Sequence, residues 1–116
     1  MLISTLNIKV DKDQLYNVVH VSGKLDTTVI KKFTDTCSEL SKNKHLIFDL
    51  NELEYISSTG IGEMFRFMQE IESSGYKFII AALQPSVLNV IKLTKLEQFF
   101  KIEESIEKAV KTVTSG

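Results

Sequence analysis

The run His45-Leu46-Ile47-Phe48-Asp49-Leu50, followed after a polar loop by Ile56-Ser57-Ser58-Thr59-Gly60-Ile61-Gly62, decides the fold. The first run is too short for a typical helix and too continuously apolar for an exposed strand, so it reads as a buried, parallel strand. The second sets three hydroxyls and two glycines at the start of a helix from about Ser58 to Ser74. Ile61, Met64, Phe65, Met68 and Ile71 form its core stripe, and Gly75 suits its C-terminal cap. Asn51 to Ser58 is then a loop between a strand's C-terminal end and a helix start, a favoured functional position in such sheets.

Upstream, Leu2, Leu6, Ile8 and Val10 share one parity from Leu2 to Val10, the period of a half-buried strand. Asp11 to Gln14 is a polar turn, Leu15 to Val21 a second strand making a hairpin with the first, and Ser22-Gly23 its end. Asp26 is placed to cap a helix carrying Ile30, Phe33, Cys37 and Leu40, and Ser41 to Lys44 connects it to the buried strand. Downstream, Tyr76 to Leu83 repeats the short apolar strand. Pro85 opens a helix with Val87, Val90, Ile91 and Thr94 on one side. Phe99 to Ile102 is a last strand, and Ile106, Ala109, Val110 and Val113 mark the final helix. The expected fold class is α/β: an N-terminal hairpin, then alternating strands and helices, giving a mixed central sheet with about four helices.

The 116 residues fit one domain. A net charge of -1, with 25% charged and 43% hydrophobic residues, gives no general attraction to nucleic acid or anionic lipid. A lone Cys37 allows neither an internal disulfide nor a zinc set. No apolar run approaches the ~20 residues that span a bilayer, no basic segment with an apolar core begins the chain, and a cytoplasmic protein is expected.

The hydroxyl cluster has four readings. Ser57 or Ser58 can cap the helix, worth about 1 kcal/mol. The helix start can hold an anion, because its free amides and partial positive charge face outward, although no Gly-x-x-x-x-Gly-Lys-Ser/Thr pattern is present. A nucleophilic serine needs a base, and the two histidines, His20 and His45, each lie inside an expected strand, with no Gly-x-Ser-x-Gly elbow. A hydroxyl can instead accept a phosphoryl group, with Gly60 and Gly62 letting a kinase approach. Asp49, Glu52 and Glu54 lie nearby, but an acidic loop without a phosphate cradle is ordinarily solvated.

The chain resembles STAS domains, specifically bacterial anti-sigma factor antagonists, whose phosphorylation signature runs Asp-Ser-Ser/Thr-Gly-Leu/Ile-Gly; Ser58-Thr59-Gly60-Ile61-Gly62 is similar to it. Ser22-Gly23-Lys24-Leu25-Asp26 looks like the family's Gly-Glu-Leu-Asp segment. Phe78 to Pro85 with Val87, Val90 and Leu93 resembles a later strand-helix unit, so the likeness extends from about Leu6 to Val110. It implies a single STAS domain over residues 1–116 that is a switch and not an enzyme, with no catalytic residue, metal or cofactor. The unphosphorylated form would bind an anti-sigma factor that is also a serine kinase, freeing the sigma factor. Phosphorylation would end binding, and a metal-dependent serine phosphatase would reset the switch. Carried over by position, Ser58 is the phosphoacceptor, with Ser57 and Thr59 as alternatives because Ser57 stands where the family has aspartate. The partner face would comprise Asp26, Ser57, Ser58, Thr59, Gly60, Ile61, Gly62, Glu63, Arg66 and Phe67. Phe67 lies about 60° off the core stripe, which suits an exposed partner contact or an edge-of-core ring equally. The alternative is a STAS interaction module, either a scaffold in another signalling complex or a small subunit of a lipid-transport system. No homo-oligomeric state is assigned.

Overall fold

A computed structural model describes residues 6–40 and 42–115. The hairpin forms from β1 (Leu6–Lys12) and β2 (Tyr16–Leu25), paired antiparallel from Leu6↔Gly23 to Lys12↔Asn17. The expected start of the first strand at Leu2 lies outside the described residues. Ser22-Gly23 does not end β2. Gly23 adopts a left-handed conformation (φ 90), the register shifts there, and the strand continues to Leu25. A glycine bulge bends a strand without terminating it, because the missing Cβ removes the penalty of positive φ.

The continuation has a purpose in the sheet. β2 pairs in parallel first with β3 (His45–Asp49) and then, beyond the bulge, with β4 (Leu53–Ile56). The segment expected as a loop therefore contains a strand. β4 is hard to see in sequence because Glu54 and Tyr55 are exposed and only Leu53 and Ile56 point inward. The sheet order is β1-β2-β3-β5-β6, with β5 (Phe78–Ala81) parallel to both β3 and β6 (Lys101–Glu103). Phe99 belongs to a 3-10 turn over Glu97–Phe99, so the last strand begins later than expected.

Helices α1 (Ile30–Ser38), α2 (Ser58–Ser73) and α3 (Pro85–Leu93) cover one face of the sheet. Phe33 and Cys37, the α2 stripe, and Val87 and Ile91 pack there on Val19, Val21, Leu46, Phe48, Phe78 and Ile80. On the opposite face α4 (Ile106–Thr114) sets Ala109 and Val113 against Val18, Ile47, Ile79 and Ala81. Apolar residues of both parities are thus buried in β3 and β5, which explains their uninterrupted hydrophobic runs. At the core's centre the Phe48 ring lies 5.7 Å from Phe33 and 5.3 Å from Phe78.

Away from α4, that second face carries polar groups. His20 sits between Asp49 (Nδ1 to Oδ2, 2.6 Å) and Asp11 (Nε2 to Oδ2, 2.8 Å), tying three strands together. Among the described residues no helix is long and apolar enough to cross a membrane.

Candidate functional site: the N-terminus of helix α2

β2 and β4 are adjacent parallel strands that end together: Leu25 pairs with Ile56, and the Ser57 amide donates to Leu25 O at 2.9 Å. Each strand leads straight into a helical turn. After β2, Asp26 accepts from the Thr28 amide (2.9 Å) and caps the 3-10 turn that precedes α1. The Thr28 side-chain hydroxyl is the main cause holding the Asp26 carboxyl below the usual carboxylate range. After β4, Ser57 caps α2. Register, not sequence proximity, brings Asp26 beside the hydroxyl cluster.

The three hydroxyls take separate places. Ser57 is 9% exposed, and its Oγ accepts from the Gly60 amide at 3.1 Å, the N-cap bond that satisfies one free donor of the first turn. An aspartate at this position would accept the same bond, so Ser57 supplies the cap without the charge. Ser58 and Thr59, the first two residues of α2, are exposed. Four residues on, Gly62 is exposed too, and a Cβ there would meet nothing within 4 Å. Gly60 is different: a Cβ on it would stand 3.0 Å from Leu25 Cγ and 3.1 Å from Ile56 Cγ1, so its glycine lets α2 lie against the ends of β2 and β4. Ile61 is fully buried beneath.

Phe67 is 3% exposed, which removes it from the expected partner face: of the two readings its spacing allowed, the core ring is the one found. α1 packs on that flank of α2, and the Phe67 ring meets Phe33 edge-on at 6.0 Å. The core stripe is therefore wider than the spacing alone indicates, while Phe65 at its other margin is only partly buried and touches Phe99 and Phe100. Glu63 and Arg66 form a bound network on the α1 side. Thr34 Oγ1 donates to Glu63 (2.8 Å), and Arg66 bridges Glu63 (3.0 Å) and Glu70 (2.8 Å) with its guanidinium 4.6 Å from the Phe67 ring centre. Hydrogen bonds from Arg66 and then Thr34 hold the Glu63 carboxyl below its ordinary range. Nothing in the sequence pointed to Thr34, and Leu25 stood out only within the segment likened to the family's Gly-Glu-Leu-Asp; the roles of both here come through tertiary contact.

Among the described residues, neither histidine is placed as a base beside the hydroxyl cluster. His20 is held by its two aspartates, and His45 opens β3, at the far end of the strands from α2's start. Burial pushes the Cys37 thiol up to about 12, which keeps it protonated and unreactive. Among the described residues no group of three or more His, Cys, Asp or Glu side chains is placed to hold a metal ion.

A model of the STAS domain family matches residues 7–109. The chain belongs to the STAS domain family. Solved structures similar to this STAS domain include an anti-sigma factor antagonist from Mycobacterium paratuberculosis, at 21% identity and TM-score 0.83 over 93% of each chain. Another is an anti-sigma factor antagonist STAS domain protein from Planctomyces limnophilus, at 16% identity and TM-score 0.78 over 92% of this chain and 97% of that one. The third is the anti-sigma factor antagonist SpoIIAA, a Bacillus cell fate determinant. Its unphosphorylated form shares 18% identity and TM-score 0.77 over 95% and 98% of the two chains, and its phosphorylated form has TM-score 0.69.

Proposed function

We propose that this STAS domain is an anti-sigma factor antagonist switched by phosphorylation of Ser58. The observation that carries the reading is the division of labour between neighbours: Ser57 spends its hydroxyl on the Gly60 amide, while Ser58 stands exposed at the start of the same helix. Ser57 is thereby a poor acceptor, and Thr59 remains the alternative. Phosphate on Ser58 adds a charge of about -1.5 to -2, which the helix N-terminus tolerates and a packed partner surface does not. The fold stays and the binding goes.

The whole chain then works as one regulatory unit, in the cytoplasm, with no catalytic step of its own. Its partners are an anti-sigma factor acting as serine kinase and a metal-dependent serine phosphatase that resets it. The partner-facing set is Asp26, Ser58, Thr59, Gly62, Glu63 and Arg66, with Ser57, Gly60 and Ile61 shaping the helix entry from beneath. Incubation with the cognate kinase and ATP, followed by mass spectrometry, is expected to place phosphate on Ser58. Ser58→Asp should abolish partner binding at unchanged thermal stability, and Ser58→Ala should bind constitutively. Incorporation confined to residues outside 57–59, or parental binding by both variants, overturns the reading.

A further inference from the structure

We propose that the outer edge of β1 pairs with the same edge of a second copy of this chain, continuing the sheet across a two-fold axis at Val10. This goes beyond the switch reading and does not depend on it. β1 is a terminal strand, and among the described residues no strand pairs with its outer side.

The hairpin fixes which backbone groups are open. Asp13 N–H donates to Tyr16 O at the turn, and the register runs without a shift from there to Leu6. In an antiparallel ladder, residues alternate between facing their partner and facing away. Asn7, Lys9 and Asp11 therefore bond to β2, whereas Ile8, Val10 and Lys12 turn their N–H and C=O groups outward. The Leu6 carbonyl obeys the same alternation: it faces out and accepts the Lys32 ammonium at 2.7 Å.

Side-chain charge selects the register. Two copies related by a two-fold axis through the sheet match residues of equal parity, so only a few pairings are available. Centring on Lys9 sets like ammonium groups opposite each other, and centring on Asp11 does the same with carboxylates. A centre on Ile8 would call on the Leu6 carbonyl that Lys32 already occupies. Centring on Val10 places Lys9 opposite Asp11 twice, and it matches Ile8 with Lys12 and Val10 with itself. Every outward backbone group of Ile8, Val10 and Lys12 is then bonded in both copies. Ile8 and Val10, half-buried against the helical layer, gain cover on the same side. Like charges directly opposite one another destabilise strand pairs and opposite charges favour them, which is what makes this edge self-complementary.

Sedimentation velocity on the intact protein over a concentration series tests the pairing. The parent protein is expected to pass from monomer to dimer as concentration rises. K9D, which leaves the His20 contacts untouched, should weaken self-association by roughly tenfold or more, and D11K should do the same. Mixed in equal amounts, the two variants should associate more tightly than either does alone, because an all-acidic edge then faces an all-basic one. Circular dichroism of each variant verifies folding. A parent protein that is monomeric throughout, leaving the edge to an extended segment of another protein, overturns the proposal. So does unaltered self-association of K9D, or a mixture no tighter than its components.

Discussion

Gly60 and Gly62 differ in what a methyl group would meet, and that difference separates stability from function. Gly60→Ala forces a carbon against Leu25 and Ile56 at 3.0–3.1 Å and should cost about 1–3 kcal/mol, read as a lower denaturation midpoint. Gly62→Ala enters open space on an exposed helix and should stabilise by up to about 1 kcal/mol. Because that space is where a partner would come close, the same substitution should weaken partner binding. Ser57→Ala removes the cap and leaves the Gly60 amide unsatisfied, at about 1–2 kcal/mol in chemical denaturation. Ser57→Asp should retain stability, since a carboxylate accepts the same bond. The exposed hydroxyl and the glycine pair were legible in sequence. The sorting of Ser57 from Ser58 was not, because it depends on which residue begins the helix, and a one-residue shift exchanges their roles.

Among the elements, the Asp11–His20–Asp49 contact joins β1, β2 and β3, and its protonation links stability to pH. Burial alone would lower the His20 pKa, but the bonds to Asp49 and Asp11 outweigh it and raise the pKa overall. The stability this contact supplies is therefore full below the unfolded value of about 6.5 and is lost as pH rises through the raised folded value. His45 runs the other way. Burial, and then the charge of Lys77, lower its pKa, and its Nδ1 accepts from the Lys77 amide, so its contribution fades as pH falls. The parent protein's profile mixes both signs. Subtracting the His20→Gln profile should isolate a difference that shrinks above neutral pH, measured by urea unfolding at successive pH values.

Strand and helix identities were largely readable because β3, β5 and the α2 stripe show uninterrupted or helically spaced apolar residues. β4 and the second half of β2 were not. Each is held by the other across the Gly23 bulge, and a pairing partner leaves no mark on the local pattern. Phe67 stood between two readings for a related reason: its burial comes from α1, which the helix's own spacing does not contain.

Across the whole molecule, burial is shared between a large layer under α1–α3 and a smaller one under α4. Phe48 stands in the first, against rings from α1 and β5, so Phe48→Ala should cost about 3–5 kcal/mol, a large part of a small domain's ~5–15 kcal/mol. Loss of cooperative thermal unfolding would be the readout.

One bond at the end of β2 bears on how such a molecule could signal. Leu25 O holds the Ser57 amide, so the turn carrying Asp26 and the turn carrying Ser58 are fastened to each other directly where their strands finish. A hinge needs slack, and this bond takes up slack between the two turns. Under the proposed switch, a phosphate on Ser58 would then act on a molecule that lays itself on both turns at once, and not by shifting one turn against the other.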